Sequence, residues 1–314
     1  MLKLIKENKI VKNAFWFGKR AFVFYVLLFF VVSFFGNKQE ALFKAKVASV
    51  DRLNPGSFKY LMDFSSGEAE PQKDLFQDYL HYYRKVAEYI PNRDDAFGLS
   101  GFCYYYLGQE YQAKKAYKKA LEINKYFFWH YYNLAVIHFK NGQYEEVAAL
   151  LKKALDIKPK MAVMVMLTSK IYNDIFGSVE SLGDKPTESL GEGYADARRM
   201  LVLSYYHLKD FENMLQVAEY SFRTKADPTM DFYFYAGLAA YEMKQYGRAI
   251  QIFQEMAEKN PLSCEAFHYI GLSARALGRE DVARGALRQA ERLRKKHTSY
   301  ERINIEDKIK VQFF

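Results

Sequence analysis

The sequence is poor in residues that interrupt or cross-link a fold, with 7 Pro, 17 Gly and 2 Cys among its 314 residues. Cys103 and Cys264 cannot supply a disulfide framework or a thiolate metal site, and they leave the cellular compartment open. The scarcity of Pro and Gly favours long helices. Aromatic residues, by contrast, are abundant, with 26 Tyr and 26 Phe, so we expect many ring contacts between these helices.

Signatures of catalysis are missing as well. The sequence has no phosphate-binding Gly-Lys-Ser/Thr and no His-Glu-x-x-His, and Gly-Leu-Ser-Gly at residues 98–101 is one residue short of a nucleophile elbow. The histidines lack the spacing of metal ligands, and we interpret His130 and His138 as core or interface residues. We therefore expect no enzyme activity, catalytic residue, metal, cofactor or small-molecule substrate.

The net charge of +9 comes mainly from two segments. Residues 1–20 carry six basic side chains against Glu7, and residues 275–297 carry eight basic against three acidic ones. Basic flanks beside an apolar run are a membrane-topology signal, so we expect no nucleic-acid partner. The second segment contains a basic stripe that is either a solvated helix face or a contact for anionic lipid or an acidic partner. Its residues are Arg284, Arg288, Arg292, Lys295 and Lys296.

An uncharged apolar run follows the basic N-terminal segment 1–20. Twelve of residues 21–35 are Leu, Val or Phe, which predicts a transmembrane helix over 21–36. A cleaved signal peptide is the rival interpretation, but bulky Phe34 and Phe35 end the run where small residues would precede a cleavage site. The excess of basic residues before the run favours a cytoplasmic N-terminus and places the rest of the chain on the periplasmic or lumenal side.

A period of about 34 residues appears beyond the apolar run when small residues at helix crossings are aligned. Within five of the six units a helix break is predicted near the middle, at 107–108, 141–142, 209–210, 244–245 and 277–278. The units begin at Asp94, Phe128, Ala162, Ala195, Met230 and Cys264.

Small and large residues recur at fixed positions in these units. The eighth position is small, and a large apolar residue later in the unit fills the space beside it. The small residues are Gly101, Ala135, Ser169, Gly237 and Gly271, and the large ones are Tyr117, Leu151, Phe253 and Leu287. This pattern resembles the tetratricopeptide repeat (TPR) family, whose unit is a pair of antiparallel helices. The resemblance implies an all-α, right-handed superhelical solenoid of about six helix-pair repeats over residues 92–296.

The third unit departs from the family pattern. Residues 177–193 are rich in Gly, Ser and Pro where the second helix should pack, so we expect a loop or a short distorted helix there. Residues 37–72 are interpreted as a connector and residues 73–91 as the remaining helix of a degenerate capping repeat. The C-terminal tail, 297–314, has alternating apolar residues that suit either a strand or a terminal helix.

In the TPR family the concave wall is built by side chains of the first helix of each unit, and that resemblance gives a candidate groove here. The groove is aromatic, which favours a protein or peptide with apolar anchors, and Asn133 and the Tyr hydroxyls are available for hydrogen bonds to a peptide backbone. The alternative is that these rings form the core between helices. The candidate residues are Phe102, Tyr105, Tyr106, Tyr132, Asn133, Val136, Phe139, Met166, Tyr206, Phe234, Leu238 and Tyr241.

The sequence thus predicts a single-pass membrane protein whose helical repeats bind other proteins and help to assemble or organise a membrane-associated complex. Residues 21–36 would contact membrane lipid. A second hypothesis is an obligate structural subunit of a larger envelope complex, in which the same surfaces are permanently buried.

Overall fold

A computed structural model describes residues 69–168, 185–224 and 229–296, residues 309, 311 and 312, and scattered positions between 24 and 67. The long ranges are almost entirely helical. Their helices are α1 (Lys73–Tyr89), α2 (Asp94–Tyr106), α3 (Glu110–Ile123), α4 (Phe128–Lys140), α5 (Tyr144–Asp156), α6 (Pro159–Thr168), α7 (Lys185–His207), α8 (Phe211–Arg223), α9 (Met230–Glu242), α10 (Tyr246–Lys259), α11 (Cys264–Ala276) and α12 (Glu280–Lys296).

The helices form stacked pairs. From α1 to α5 and from α7 to α12, each helix packs against the next in the chain, and α7 also packs against α5. Asp94, Phe128, Met230 and Cys264, which were predicted to begin units, are each the first residue of a helix. The prediction of an all-helical array of helix pairs is therefore confirmed for the described residues.

The two helices of a unit are joined by one recurring turn. At the end of the first helix one residue adopts a left-handed conformation, and the next N–H bonds to the carbonyl five residues back, which is a Schellman motif. Examples are the Gln109 N–H to the Tyr104 carbonyl at 2.8 Å and the Gln245 N–H to the Ala240 carbonyl at 2.8 Å. The left-handed residues are Gly108 (φ 76°), Gly142 (φ 68°), Lys209 (φ 56°), Lys244 (φ 61°) and Gly278 (φ 71°). These turns lie at the predicted helix breaks.

Lys244 carries a side chain at a turn position where three other units have Gly. We expect Lys244→Gly to raise the free energy of unfolding by about 1 kcal/mol, because a Cβ is unfavourable at positive φ. Lys244→Ala is the matched control, since it removes the same charge but keeps the Cβ. Urea unfolding of the two variants distinguishes conformational strain from charge, and equal midpoints would contradict the strain argument.

Close approach of paired helices explains the alternation of small and large residues. A Cβ added at Gly101 would lie 3.0 Å from the ring of Tyr117, and one at Gly237 would lie 2.6 Å from the ring of Phe253. The same holds for Gly271, where the added Cβ would be 2.6 Å from the Leu287 side chain. The small residue is therefore required by the large residue on the second helix.

The third unit differs from the sequence-based expectation. Helix α6 is described up to Thr168, and residues 169–184 lie outside the described residues. Residues 185–193 were expected to form a loop or a short distorted helix, but they are the first part of the long helix α7. The Gly that suggested a break is instead a contact point, because a Cβ at Gly193 would lie 2.5 Å from the indole of Trp129.

Tyr194, the next residue of α7, holds this helix against the second unit. Its ring stacks on Phe128 at a centroid distance of 4.5 Å and an angle of 14°. Its hydroxyl donates a hydrogen bond to the Ile157 carbonyl. Burial raises the pKa of Tyr194 to about 12, so the phenol keeps the proton that it donates. Helix α7 thus packs against α4 and α5 of the second unit.

Of the predicted transmembrane segment 21–36, only Phe24 belongs to the described residues. Within the described part of the chain, none of the helices combines the length and the apolar character that crossing a bilayer requires. The transmembrane helix therefore stays a prediction.

Candidate protein-binding groove

The candidate groove residues lie on the first helices of successive units. Helix α2 carries Phe102, Tyr105 and Tyr106, and α4 carries Tyr132, Asn133, Val136 and Phe139. Helix α6 carries Met166, α7 carries Tyr206, and α9 carries Phe234, Leu238 and Tyr241. The side chain of Met166 lies outside the described part of the structure.

Several of these residues are buried between helices. Phe139, for example, packs against the rings of Tyr144 on α5 and His207 on α7, with centroid distances of 5.5 and 6.3 Å. Such residues stabilise the wall of the array. The buried apolar candidates are Phe102, Tyr132, Val136, Phe139 and Leu238.

The remaining aromatic candidates reach solvent to different degrees. Tyr206 is 43% exposed, whereas Tyr105, Tyr106, Phe234 and Tyr241 are half-buried. The two aromatic candidates on α9 pack edge-on against Tyr269 of α11, with centroid distances of 5.9 Å for Phe234 and 5.6 Å for Tyr241. The Lys140 ammonium donates to the Tyr105 hydroxyl at 2.5 Å. These rings form a partly open aromatic surface.

The α2 end of this surface is covered by two phenylalanines, Phe64 and Phe76, that are not among the candidate groove residues. Phe64 meets Tyr106 edge-on at 4.6 Å, and Phe76 of α1 stacks on Tyr106 at 5.6 Å. Both rings also pack near the ring of Phe102, with centroid distances of 6.4 Å for Phe64 and 6.2 Å for Phe76. They precede the repeats, so the repeat pattern carried no signal for them.

Asn133 is the one polar residue of the candidate set, and its amide is buried with an exposure of 3%. Its Nδ2 donates to the Gln312 carbonyl at 2.7 Å, and its Oδ1 accepts from the Gln312 N–H at 2.8 Å. The Tyr106 hydroxyl donates to the Val311 carbonyl at 2.8 Å. Burial raises the pKa of Tyr106, so this phenol remains a hydrogen-bond donor at neutral pH. Both side chains therefore bind polypeptide main chain.

The bound residues belong to the C-terminal tail. Ile309 is 5% exposed and Val311 is fully buried, and both join the same apolar cluster as Tyr132 and Val136. The only sequence signal for this segment was its alternating apolar pattern, which suited either a strand or a helix. Nothing in the pattern indicated which surface the segment would contact.

His130 and His138 lie in the core. His130 is 2% exposed and contacts the Asp94 carboxylate at 3.3 Å, while His138 contacts the Gln143 side chain at 2.9 Å. Burial alone raises the pKa of Asp94, but hydrogen bonds from His130 and Asn124 outweigh it and hold this pKa below its usual value. In the described part of the chain, no three His, Cys, Asp or Glu side chains are grouped so as to hold a metal ion.

The basic stripe on α12 is exposed along its length. Arg284 pairs with Asp281 at 2.5 Å, and Lys295 pairs with Glu291 at 2.7 Å. Such exposed pairs add little stability because water screens them. The stripe, which also includes Arg288, Arg292 and Lys296, thus presents positive charge to solvent.

Known proteins share the repeats of this chain. Three segments, 94–127, 116–147 and 231–263, match family models described as tetratricopeptide repeat. A TPR repeat-containing protein of Methanocaldococcus jannaschii is 22% identical over 219 residues, which cover 67% of this chain and 34% of that protein. The chain therefore spans about a third of the length of this relative.

A solved structure shares the fold. YrrB, described as a TPR protein with an unusual peptide-binding site, superposes with a TM-score of 0.50 at 16% identity, covering 69% of this chain and 94% of YrrB. MamA from Desulfovibrio magneticus RS-1 (residues 41 to the end) gives a TM-score of 0.46 at 14% identity, covering 71% of this chain and 98% of that one.

Proposed function

We propose, from the premise that this chain carries tetratricopeptide repeats, that it is a non-enzymatic scaffold that binds other proteins through the groove on α2, α4, α7 and α9. The bound proteins would be held beside a membrane, as parts of a complex that this chain helps to assemble or organise. Repeat arrays suit this role because stacked helix pairs create an extended surface without a reactive centre.

The hydrogen bonding of Asn133 is the observation that carries the proposal. A buried side-chain amide costs free energy unless it is paired, and here both of its polar atoms pair with the main chain of one residue, Gln312. Every polypeptide has such a main chain, while the partly open rings of Tyr105, Tyr206 and Tyr241 offer contacts for apolar anchors. The peptide-binding site named for YrrB supports the same use of the fold.

Site-specific photo-cross-linking tests the proposal. Benzoylphenylalanine would replace Tyr206 on α7 and, as matched control, Tyr220 on α8 of the same unit, which is 58% exposed. In membranes of the native cell, a discrete adduct with a partner protein is expected from position 206 and not from position 220. Adducts of equal yield at both positions, or none at 206, would contradict groove binding.

The membrane attachment is a second part of the proposal. Residues 21–36 would form one transmembrane helix, with the N-terminus cytoplasmic and the repeats on the periplasmic or lumenal side. Deletion of residues 2–36 is expected to release the chain from the membrane fraction. A reporter that is active only in the cytoplasm, fused after Asp51, should be inactive, and its activity would reverse the orientation.

An obligate structural subunit remains a second candidate because apolar side chains on second helices are also exposed. Tyr111 on α3 is 75% exposed and Val282 on α12 is 50% exposed, so these helices could be covered in a larger assembly. Purification in mild detergent separates the candidates. The scaffold is expected as a monodisperse species free of partners, and the subunit as a complex of fixed stoichiometry.

The basic stripe on α12 gives the scaffold a further possible contact. Arg284, Arg288 and Arg292 are spaced so that they share one helix face, and Lys295 and Lys296 extend that face. Its proposed partners are anionic lipid or an acidic protein segment.

A further inference from the structure

The tail residues Ile309, Val311 and Gln312 lie against the first two repeat units, although the tail follows the last unit. The hydrogen bonds that hold the tail connect residues 205 positions apart, from Tyr106 to Val311, and 179 positions apart, from Asn133 to Gln312. Residues 297–308 link the end of α12 to this contact. The tail is therefore a distant part of the chain that returns to the groove.

The contact has the features of peptide recognition. Ile309 and Val311, two positions apart, are both buried, which is the spacing by which an extended chain presents alternate side chains to one surface. The hydrogen bonds use the carbonyl of Val311 and the N–H and carbonyl of Gln312, all main-chain atoms. Another chain with the same backbone path would satisfy Tyr106 and Asn133 equally well.

We propose that Ile309, Val311 and Gln312 belong to an internal pseudo-ligand that occupies the main-chain-binding part of the groove. The segment for which they substitute is an extended stretch of a partner protein with β-branched apolar residues two positions apart. This inference rests on the proposed function and specifies its regulation, because a partner gains access only by displacing the tail. Tethering raises the effective concentration of the tail and so weakens binding in trans.

The hydrogen-bond geometry favours a protein segment of this pattern over other occupants. The paired donor and acceptor of Asn133 match the N–H and C=O of a single residue, as a neighbouring strand would. The apolar site that takes Val311 is fully closed to solvent, so it selects a short, branched side chain over a charged or long one. Main-chain bonds thus supply affinity and the Val311 site supplies selectivity.

A fluorescent peptide of residues 305–314 serves as the probe, and fluorescence anisotropy measures its affinity for the full-length chain. Val311→Asp in the chain is expected to strengthen probe binding about tenfold or more, because a carboxylate cannot enter the apolar site and the tail no longer competes. A chain ending at Lys308 should show the same gain, which keeps the test valid if Val311→Asp impairs folding.

Two controls identify the binding mode. Asn133→Asp, placed in the chain that ends at Lys308, should abolish the gain, because its carboxylate repels the probe carbonyl that Asn133 Nδ2 binds. A probe that is N-methylated at Gln312 should bind at least about tenfold more weakly, because it lacks the N–H that bonds to Oδ1. Unchanged binding in either control would overturn main-chain recognition.

The outcomes separate the two proposals. Equal probe affinity for the wild-type chain and both tail variants would overturn the pseudo-ligand, even if the cross-link from position 206 still identified a partner. Stronger binding to the tail variants without any cross-linked partner would support the pseudo-ligand and contradict the scaffold function. Light scattering that showed tail-dependent dimers would also overturn the proposal, since the tail would then bind a second copy.

Discussion

Gly237→Ala is expected to lower the free energy of unfolding by about 2 kcal/mol, because its Cβ would lie 2.6 Å from the buried ring of Phe253. The ring is fully buried and packs against Tyr269 at 5.1 Å, so it has little room to move. Urea unfolding followed by circular dichroism measures the change. Gly247→Ala on α10 is the matched control, because nothing lies within 4 Å of its added Cβ, and it should be neutral or stabilising.

A second substitution tests the cause of this effect. The second unit combines Ala135 with Leu151 at the positions where this unit has Gly237 and Phe253. Gly237→Ala together with Phe253→Leu should therefore be less destabilising than the sum of the two single changes, by about 1 kcal/mol or more. Strict additivity would show that the Gly does not serve close helix packing.

Gly193→Ala is the second large effect that we expect, a loss of about 2 kcal/mol. Its Cβ would lie 2.5 Å from the indole of Trp129 and 3.0 Å from the ring of Phe128, both of which are buried. Gly191→Ala, two residues earlier in α7, is the control, since nothing lies within 4 Å of its Cβ. We expect that control to stabilise the chain by up to about 1 kcal/mol, because Ala favours a helix over Gly.

This pair of variants tests the path of the chain through the irregular third unit. If residues 191 and 193 were in a loop, both substitutions would have similar and small effects, because a loop at the surface accepts a methyl group. Opposite signs at 191 and 193 are expected only if the segment is a helix with residue 193 facing α4. Equal effects would contradict the described path.

The regular units were predictable because their restraints are local and periodic. The crossing of two helices selects Gly237 beside Phe253, and the left-handed turn selects Gly108, Gly142 and Gly278. Such restraints leave a pattern in one sequence. The irregular unit was predicted less well. Gly193 lies in a Gly-rich segment that is typical of a helix break, but Gly is needed there because the ring of Trp129, which belongs to another unit, packs against it.

The groove was only partly predictable. Family position places Phe102, Tyr132 and Phe139 on first helices, but position alone does not distinguish a buried ring from an accessible one. Burial depends on neighbours such as Phe64 and Phe76, which lie outside the repeat pattern. The role of Asn133 was suggested by its polar type, whereas its partner, the tail, is a long-range contact that no local pattern encodes.

The central claim is that the inner wall of the repeats binds an extended polypeptide. Hydrogen exchange at a single main-chain amide tests this claim most directly. Nuclear magnetic resonance of the full-length chain labelled with 15N-glutamine would report hydrogen exchange at the Gln312 amide, whose N–H bonds to Asn133 Oδ1 at 2.8 Å. We expect slow exchange in the wild-type chain and fast exchange in Asn133→Ala. Exchange at the rate of an unprotected amide in the wild-type chain would contradict the claim.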